Sequence, residues 1–345
     1  MANVLFVNLT KSINKIIAAQ KEAQQFSHEI YHLTEYSNFN LKILRFECNP
    51  NAADFIETAQ QIIQENDIKY VTTQTDLVLP ILTQIKNVKI IPELEYDLSL
   101  LSDKIVFAEF QKKHKLPQPE FWVPKTFDDL SNIEGEIFIK PSHGTSGTVS
   151  VSNNKNKLNF YDYIKFNNSK QFIELLEKNN SLEDFLETQK NGKYYDNFKI
   201  VKSKHLIQRC INAEKYYCIT VNVINGELFV VSGSELDCSR INGEIHRCDE
   251  MQVNRKQFIC TENTNLAPNF FGSDVYDCFI NKIKKLIDIC KVKTATMNLD
   301  LIIPSLKDLD NAFLNDLHFR MGGNIAVDVV KSKIILPHSI WKHIT

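Results

Sequence analysis

The sequence predicts an α/β fold passing into α+β: a parallel-sheet domain at the N-terminus, a small unit built round a glycine loop, and an antiparallel sheet at the C-terminus. Three observations predict it. Over residues 4–91, short apolar runs alternate with helix-like segments. At residues 137–149 an apolar strand delivers Lys140 into a Gly/Ser/Thr loop. From residue 204 the texture becomes one of paired, alternating strands, closing in a hairpin that carries two aspartates.

The runs Val4–Asn8, Leu41–Phe46, Ile68–Thr72 and Val88–Ile91 are β-formers. Between them, segments at about 12–35, 52–65 and 77–86 place apolar residues at three-to-four spacing, such as Phe55, Ala59 and Ile62–Ile63. Such alternation implies a small parallel sheet with helices on its faces. The loop Asn8–Ser12 has no glycine, so a dinucleotide fingerprint is missing and the sequence argues against NAD there. Asp76, at the start of the third helical segment, reads either as an N-cap or as a contact for a substrate amine.

Residues 98–115 read as a helix with Asp103 and Lys104 near its start and Phe107 and Phe110 on its apolar side; Leu116–Pro119 stops it. Taken alone, Asp103 is a cap and Lys104 a surface lysine. A strand (Glu120–Val123) and a short helix (about 127–133) precede Ile137–Lys140 and its glycine loop. Backbone N–H groups in such a loop can converge on phosphate oxygens. The lysine precedes the glycines and a strand follows, unlike a P-loop, so the segment reads as a β-hairpin lid or, more plainly, as a solvated turn. Residues 153–168 read as a loop excursion and Ser169–Asn179 as a helix, while 180–203 has no assignable pattern.

Farther on, Tyr216–Ile224 and Glu227–Glu235 flank Asn225-Gly226, a strong hairpin signal because both residues accept positive φ. Asn242-Gly243 marks another turn. Ser273 reads as the cap of a helix reaching Cys290, with Phe279, Ile283, Leu286 and Ile287 on one face. Residues 296–303 and 313–320 then bracket a polar turn. Their alternation sends Leu299, Leu301, Ile303, Leu317 and Phe319 to the core and Asn298, Asp300, Asp316, His318 and Arg320 to the other face. Pairing about residue 308 sets Asp300 opposite Asp316, a repulsion that a divalent cation would remove. The alternative is a solvated face with Arg320 paired to Asp300 or Asp316. Gly322-Gly323-Asn324 either lets a ligand approach the backbone or turns the chain.

Bulk properties exclude several classes. The chain has 345 residues, 43% hydrophobic and 24% charged, with a formal net charge of −2, which argues against nucleic acid as the main partner. No apolar run approaches the ~20 residues of a membrane span, and the N-terminus reads as a strand and not a signal peptide, so the expected location is cytoplasmic, with no membrane partner. Eight cysteines (48, 210, 218, 238, 248, 260, 278 and 290) show no Cys-x-x-Cys and read as reduced, mostly buried thiols.

In order and spacing, these motifs resemble the ATP-grasp superfamily, over nearly the whole chain: Asp103-Lys104, Ile139-Lys140-Pro141 with its loop, Leu206–Ile211 followed by Glu214, and Leu299-Asp300 with Asn315–Arg320. The resemblance implies an N-terminal Rossmann-like domain (1–95), a connecting helix region (96–130), a small lid subdomain (131–205) and a C-terminal antiparallel-sheet subdomain (206–345). It implies an ADP-forming, ATP-dependent C–N ligase acting through an acyl phosphate, with ATP and Mg²⁺ or Mn²⁺ as cofactors and a small acid and an amine as substrates. By that likeness Lys104 and Lys140 contact phosphates. Ser142, His143, Gly144, Thr145, Ser146 and Gly147 close over them. Gln208, Arg209, Cys210 and Ile211 meet adenine through backbone groups and Glu214 the ribose. Asp300, Asp316 and His318 hold metal, and Arg320 acts with Lys140 in catalysis. Asp76, His143, Arg240, Arg320 and Gly322–Asn324 are substrate candidates. Where the family usually has Glu and then Asn, this chain has Asp316 and His318; His318 motivates the alternative of an inactive nucleotide-binding regulator, and the unassigned segment 180–203 that of a peptide- or protein-modifying ligase. A homodimer is a further expectation that no sequence feature fixes.

Overall fold

The alternating N-terminal residues form a parallel sheet in the computed structural model, which describes residues 2–8, 13–34, 44–47, 54–97, 103–142, 164–191, 204–236, 256–260, 266–320 and 338–344. The elements run β1 (Asn3–Asn8), α1 (Ile13–Gln25), β2 (Glu29–Thr34), β3 (Leu44–Glu47), α2 (Phe55–Glu65), β4 (Ile68–Thr72), a 3-10 turn (Asp76–Val78), α3 (Leu79–Leu82) and β5 (Lys89–Ile91). The strands pair in the order β3-β2-β1-β4-β5, all parallel. One expectation is corrected: the helix foreseen to residue 35 stops at Gln25. Ser27 turns the chain at φ 62°, and Ile30, Tyr31 and Leu33 are buried in a strand beside β1.

The middle of the chain gives α4 (Lys104–Lys113), β6 (Phe121–Trp122), α5 (Phe127–Ser131), β7 (Ile137–Pro141), β8 (Ile164–Phe166), α6 (Ser169–Lys178), α7 (Leu182–Asn191) and β9 (His205–Arg209). Asp103 caps α4, its Oδ1 accepting from Ile105 N at 2.8 Å and Val106 N at 3.3 Å. The strands form an antiparallel sheet ordered β6-β9-β7-β8. Two expectations change. Residues 164–166, read as loop, pair with Ile137–Ile139 as β8, and part of the unassigned segment 180–203 is α7. The loop Gly144–Gly147 lies outside the described residues.

The last sheet contains β10 (Lys215–Ile224), β11 (Glu227–Leu236), β12 (Lys256–Ile259), β13 (Thr294–Ile303) and β14 (Phe313–His318), ordered β12-β11-β10-β13-β14 and antiparallel. The helices α8 (Ala267–Phe271) and α9 (Ser273–Cys290) precede β13. Asn225 and Gly226 take φ 52° and 82°, as the hairpin requires. Ser273 is not the cap of α9: Gly272 at φ 81° holds that place, and the Ser273 hydroxyl bonds Asp274. Phe279, Ile283, Leu286 and Ile287 are buried on the expected face. Asn242-Gly243 lies outside the described residues. Cys210, Cys218, Cys260, Cys278 and Cys290 are free thiols. No helix among the described residues is long and apolar enough to cross a membrane.

One hydrophobic core joins the first and third sheets, running from Leu5 and Val71 through Phe107 and Phe110 to Phe279, Leu299 and Leu317. A backbone seam reinforces it: Glu93 N donates to Thr294 O (2.7 Å) and Lys293 N to Glu93 O (2.8 Å). The C-terminal Trp341 packs on Phe6, and His28 Nε2 donates to its carbonyl at 2.6 Å while His28 Nδ1 accepts from Ala2 N. The four-stranded sheet has a separate core of Ile137, Ile139, Phe172, Leu176 and Ile207. At Gly226 a Cβ would meet nothing within 4 Å, so Gly226→Ala isolates the backbone cost of positive φ. We expect it to destabilise the protein by roughly 1–2 kcal/mol in chemical denaturation.

Candidate active site

Four separated segments meet at one place. Near the end of β7 stands Lys140, which has no exposed surface. Just beyond it, Ser142 N donates to Lys204 O and Ser142 O accepts from Lys104 N, both at 2.8 Å. These bonds set the first residue of α4 beside the end of β7, and Lys104 is buried there, not at the surface. α4 is tied in turn to β14, Gln111 Nε2 donating to Leu314 O at 2.7 Å. The next residues of β14 receive the lysine: Lys140 Nζ reaches Asp316 Oδ1 at 2.8 Å and Asn315 Oδ1 at 3.2 Å.

The β13–β14 ribbon follows the predicted register at Asn298↔His318 and Leu299↔Leu317, then slips to Leu301↔Leu314. Leu299, Leu301, Ile303, Leu317 and Phe319 are buried, as alternation requires. The irregularity falls at Asp300, beside Asp316. Burial and then the Asp316 charge push the Asp300 carboxyl up to about 6, against the hydrogen bond from Tyr216. Asp316 moves the other way. Burial would raise it, but Lys140 and Lys104 outweigh burial and hold it well below the ordinary range. Tyr216 Oη donates to Asp300 Oδ2 at 2.7 Å.

Asp76 is not an N-cap; Thr75 holds that position. Its Oδ2 accepts from Arg320 Nε at 2.8 Å and from His318 Nδ1 at 3.0 Å. Arg320 therefore spends its Nε–H on Asp76, a partner that neither expected aspartate pairing foresaw. Burial would raise the Asp76 carboxyl, yet Arg320 and His318 hold it well below the ordinary range. Burial also lowers His318 itself, despite Asp76. The two shifts disagree on a charged His318. A buried imidazole is neutral at pH 7 and still donates Nδ1–H, so the lasting charge partner of Asp76 is Arg320.

The remaining candidates lie along β9 and the chain after it. Gln208 is buried in mid-strand. Arg209 N and Cys210 N donate to Glu120 O and Glu136 O. The Arg209 guanidinium binds Glu134 O and Glu120 Oε2 and sits 5.1 Å over the Trp122 ring, a bracing role within the sheet. Among the described residues the Ile211 N–H has no backbone partner. The exposed Glu214 carboxylate accepts from Leu306 N in the β13–β14 turn. His143–Gly147, Arg240 and Gly322–Asn324 lie outside the described residues. Sequence reading missed Tyr216 and Asn315. A signal for Tyr216 existed: on β10 the polar or small residues Tyr216, Cys218, Thr220 and Asn222 alternate with the buried Tyr217, Ile219, Val221 and Val223.

Among the described residues no group of three or more His, Cys, Asp and Glu could hold a metal ion alone. The donor set nonetheless fits Mg²⁺ shared with a phosphate, since Mg²⁺ is usually bound by one or two carboxylates plus substrate phosphates. Asp300 and Asp316 would supply the carboxylates, and the Asp300 carboxyl is raised by burial and then by the Asp316 charge, the second of which a cation would relieve.

No protein-family model matches this sequence, and no curated protein matches it. Solved structures do. The L-amino acid ligase from Bacillus licheniformis superposes with a TM-score of 0.60 at 11% identity, over 96% of this chain and 70% of that one. N5-carboxyaminoimidazole synthetase from Staphylococcus aureus gives 0.61 at 13% identity, over 99% and 75%. A carboxyaminoimidazole ribonucleotide synthase from Aspergillus clavatus, complexed with ATP, gives 0.57 at 12% identity, over 93% and 70%. At such identities the likeness is one of fold.

The electrostatics yield a pH test without nucleotide or added divalent cation. An Asp300 carboxyl raised to about 6 is ionised in the fold at pH 8 at a cost, which shrinks as pH falls through 6 and is gone only below the ordinary carboxylate range near 4. Asp300→Asn should therefore be more stable than wild type at pH 8, by on the order of 2 kcal/mol, with the gap narrowed to about half by pH 5. Thermal melts at the two pH values measure it.

Proposed function

The chain has the ATP-grasp fold, and on it we propose an ATP-dependent carboxylate–amine ligase that releases ADP and phosphate. The observation that carries this reading is the convergence of Lys104, Lys140, Asp300 and Asp316, two cations facing two carboxylates. In the proposal Lys104 and Lys140 bind the nucleotide phosphates, and Ser142 with His143–Gly147 closes over them. The Ile211 N–H, without a backbone partner among the described residues, suits a contact to adenine from the hinge Gln208–Ile211, and Glu214 reaches the ribose by giving up Leu306. Asp300 and Asp316 hold Mg²⁺ or Mn²⁺, which when bound neutralises charge on the phosphates. The organisation that goes with this reading is a domain over 1–95, a connector over 96–130, a lid over 131–205 and a catalytic subdomain over 206–345.

The chemistry is phosphoryl and then acyl transfer. A substrate carboxylate oxygen attacks the γ-phosphorus, ADP leaves, and an acyl phosphate results. The amine attacks its carbonyl carbon, loses a proton and expels phosphate. Positioning and charge neutralisation do most of this work. Arg320 offsets charge on the transferred group while its Nε–H stays on Asp76. Asp76, Arg240 and Gly322–Asn324 border the acid and the amine. The amino acid ligase among the structural neighbours motivates an amino acid as the acid.

A second reading, a nucleotide-binding protein without turnover, is favoured by His318, whose Nδ1 is engaged by Asp76. One assay separates the two. Purified protein with Mg²⁺, ATP and a panel of amino-acid pairs is expected to release phosphate with at least one pair, and Asp316→Asn to lower kcat by roughly 10²-fold or more. Melting-temperature gain with Mg·ATP but no phosphate from any pair establishes the second reading. Unchanged turnover in Asp316→Asn removes Asp316 from the metal site.

A further inference from the structure

We infer that Tyr216 is the positioning residue of Asp300: its phenol fixes one carboxylate oxygen and leaves the other to face Asp316. The inference deepens the ligase reading and rests on it. Three observations carry it.

First, the bond is short and well made, Tyr216 Oη to Asp300 Oδ2 at 2.7 Å, between adjacent antiparallel strands. Tyr216 is not the residue directly across from Asp300. That residue is Cys218, and Tyr216 reaches Asp300 along the diagonal, a distance only a long side chain spans.

Second, the other residues on this face offer Asp300 at most a weak donor. The Cys218 thiol is shared between Asp300 and Asn298 Oδ1, the latter at 3.5 Å, and Thr220 Oγ1 donates to that Asn298 oxygen at 3.1 Å. Asn222 Nδ2 donates to His338 O. Along this face of β10, Tyr216 provides the strong O–H donor to Asp300.

Third, Asp300 stands apart among the carboxylates here. Asp316 bonds Lys140 and Asp76 bonds Arg320, each a charged donor, while Asp300 accepts from neutral groups, the Tyr216 phenol and, weakly, the Cys218 thiol. A phenol holds a carboxylate in place without cancelling its charge, so the negative charge remains for a cation. Partners of this kind orient metal ligands, and their loss typically costs 10–100-fold in metal affinity. The bond also restricts Asp300 to presenting Oδ1, a one-oxygen donor suited to Mg²⁺ or Mn²⁺ in octahedral geometry.

The test measures Mn²⁺ binding to the full chain with saturating ADP, by the loss of the free-ion electron paramagnetic resonance signal. Tyr216→Phe keeps the ring and removes only the donor; Cys218→Ala alters the residue directly opposite Asp300. Expected are an Mn²⁺ dissociation constant weakened at least tenfold in Tyr216→Phe, near wild type in Cys218→Ala, and metal-free ADP affinity unchanged in both. Equal Mn²⁺ affinity in wild type and Tyr216→Phe overturns the inference and leaves the ligase reading standing. A parallel loss in Cys218→Ala, or of metal-free ADP affinity in Tyr216→Phe, also overturns it by making the effect one of general packing. Wild-type protein that binds no Mn²⁺ with ADP overturns the ligase reading itself, and this inference with it.

Discussion

The ion pair between Lys140 and Asp316 is the interaction on which the site depends. A lysine with no exposed surface loses its hydration entirely, and burial of an unpaired ammonium is among the costliest events in folding. Asp316 and Asn315 provide the partners that make it tolerable. In doing so they join the end of an inner strand of one sheet to a ribbon 176 residues later in the chain. Lys104 arrives by the same logic, its backbone N–H committed to Ser142 and its charge balanced by Asp316 and Asp76.

Around that pair the charges are nearly matched but unevenly distributed. Three carboxylates (Asp76, Asp300, Asp316) share the region with three fixed cations (Lys104, Lys140, Arg320). Asp76 and Asp316 are held low by those cations, whereas Asp300 is pushed up. The imbalance follows from geometry. Arg320 turns to Asp76 and Lys140 to Asp316, so the remaining aspartate keeps a phenol for company. In the proposed ligase, that uneven charge is what would hold a positive ion beside Asp300 and anionic phosphate groups beside the lysines.

Much of this was legible before any coordinates, for reasons specific to each element. The β13–β14 ribbon was readable because one face is fully apolar, and strict alternation then fixes the other face. The Asn225-Gly226 turn was readable because few residue pairs accept its dihedral angles. β2 was hidden because the helix before it stops at Gln25 and the chain turns at Ser27, a positive-φ residue with no glycine or proline to announce it. The slip in register at Asp300 and the long-range partners of Lys140, Asp76 and Arg320 leave no local trace; they arise only once separate segments pack. Tyr216 lay between these extremes, visible in the alternation of β10 but with no mark of its partner.

The seam at Glu93 and the core beneath it bear on the buried pair of Asp76 and Arg320. These residues come from opposite ends of the chain, 244 positions apart, yet both ride on sheets that share one hydrophobic interior. Their mutual orientation is therefore part of the folded state and not something a guest must impose. The entropy of arranging them is lost once, during folding, and is not lost a second time by whatever binds beside them.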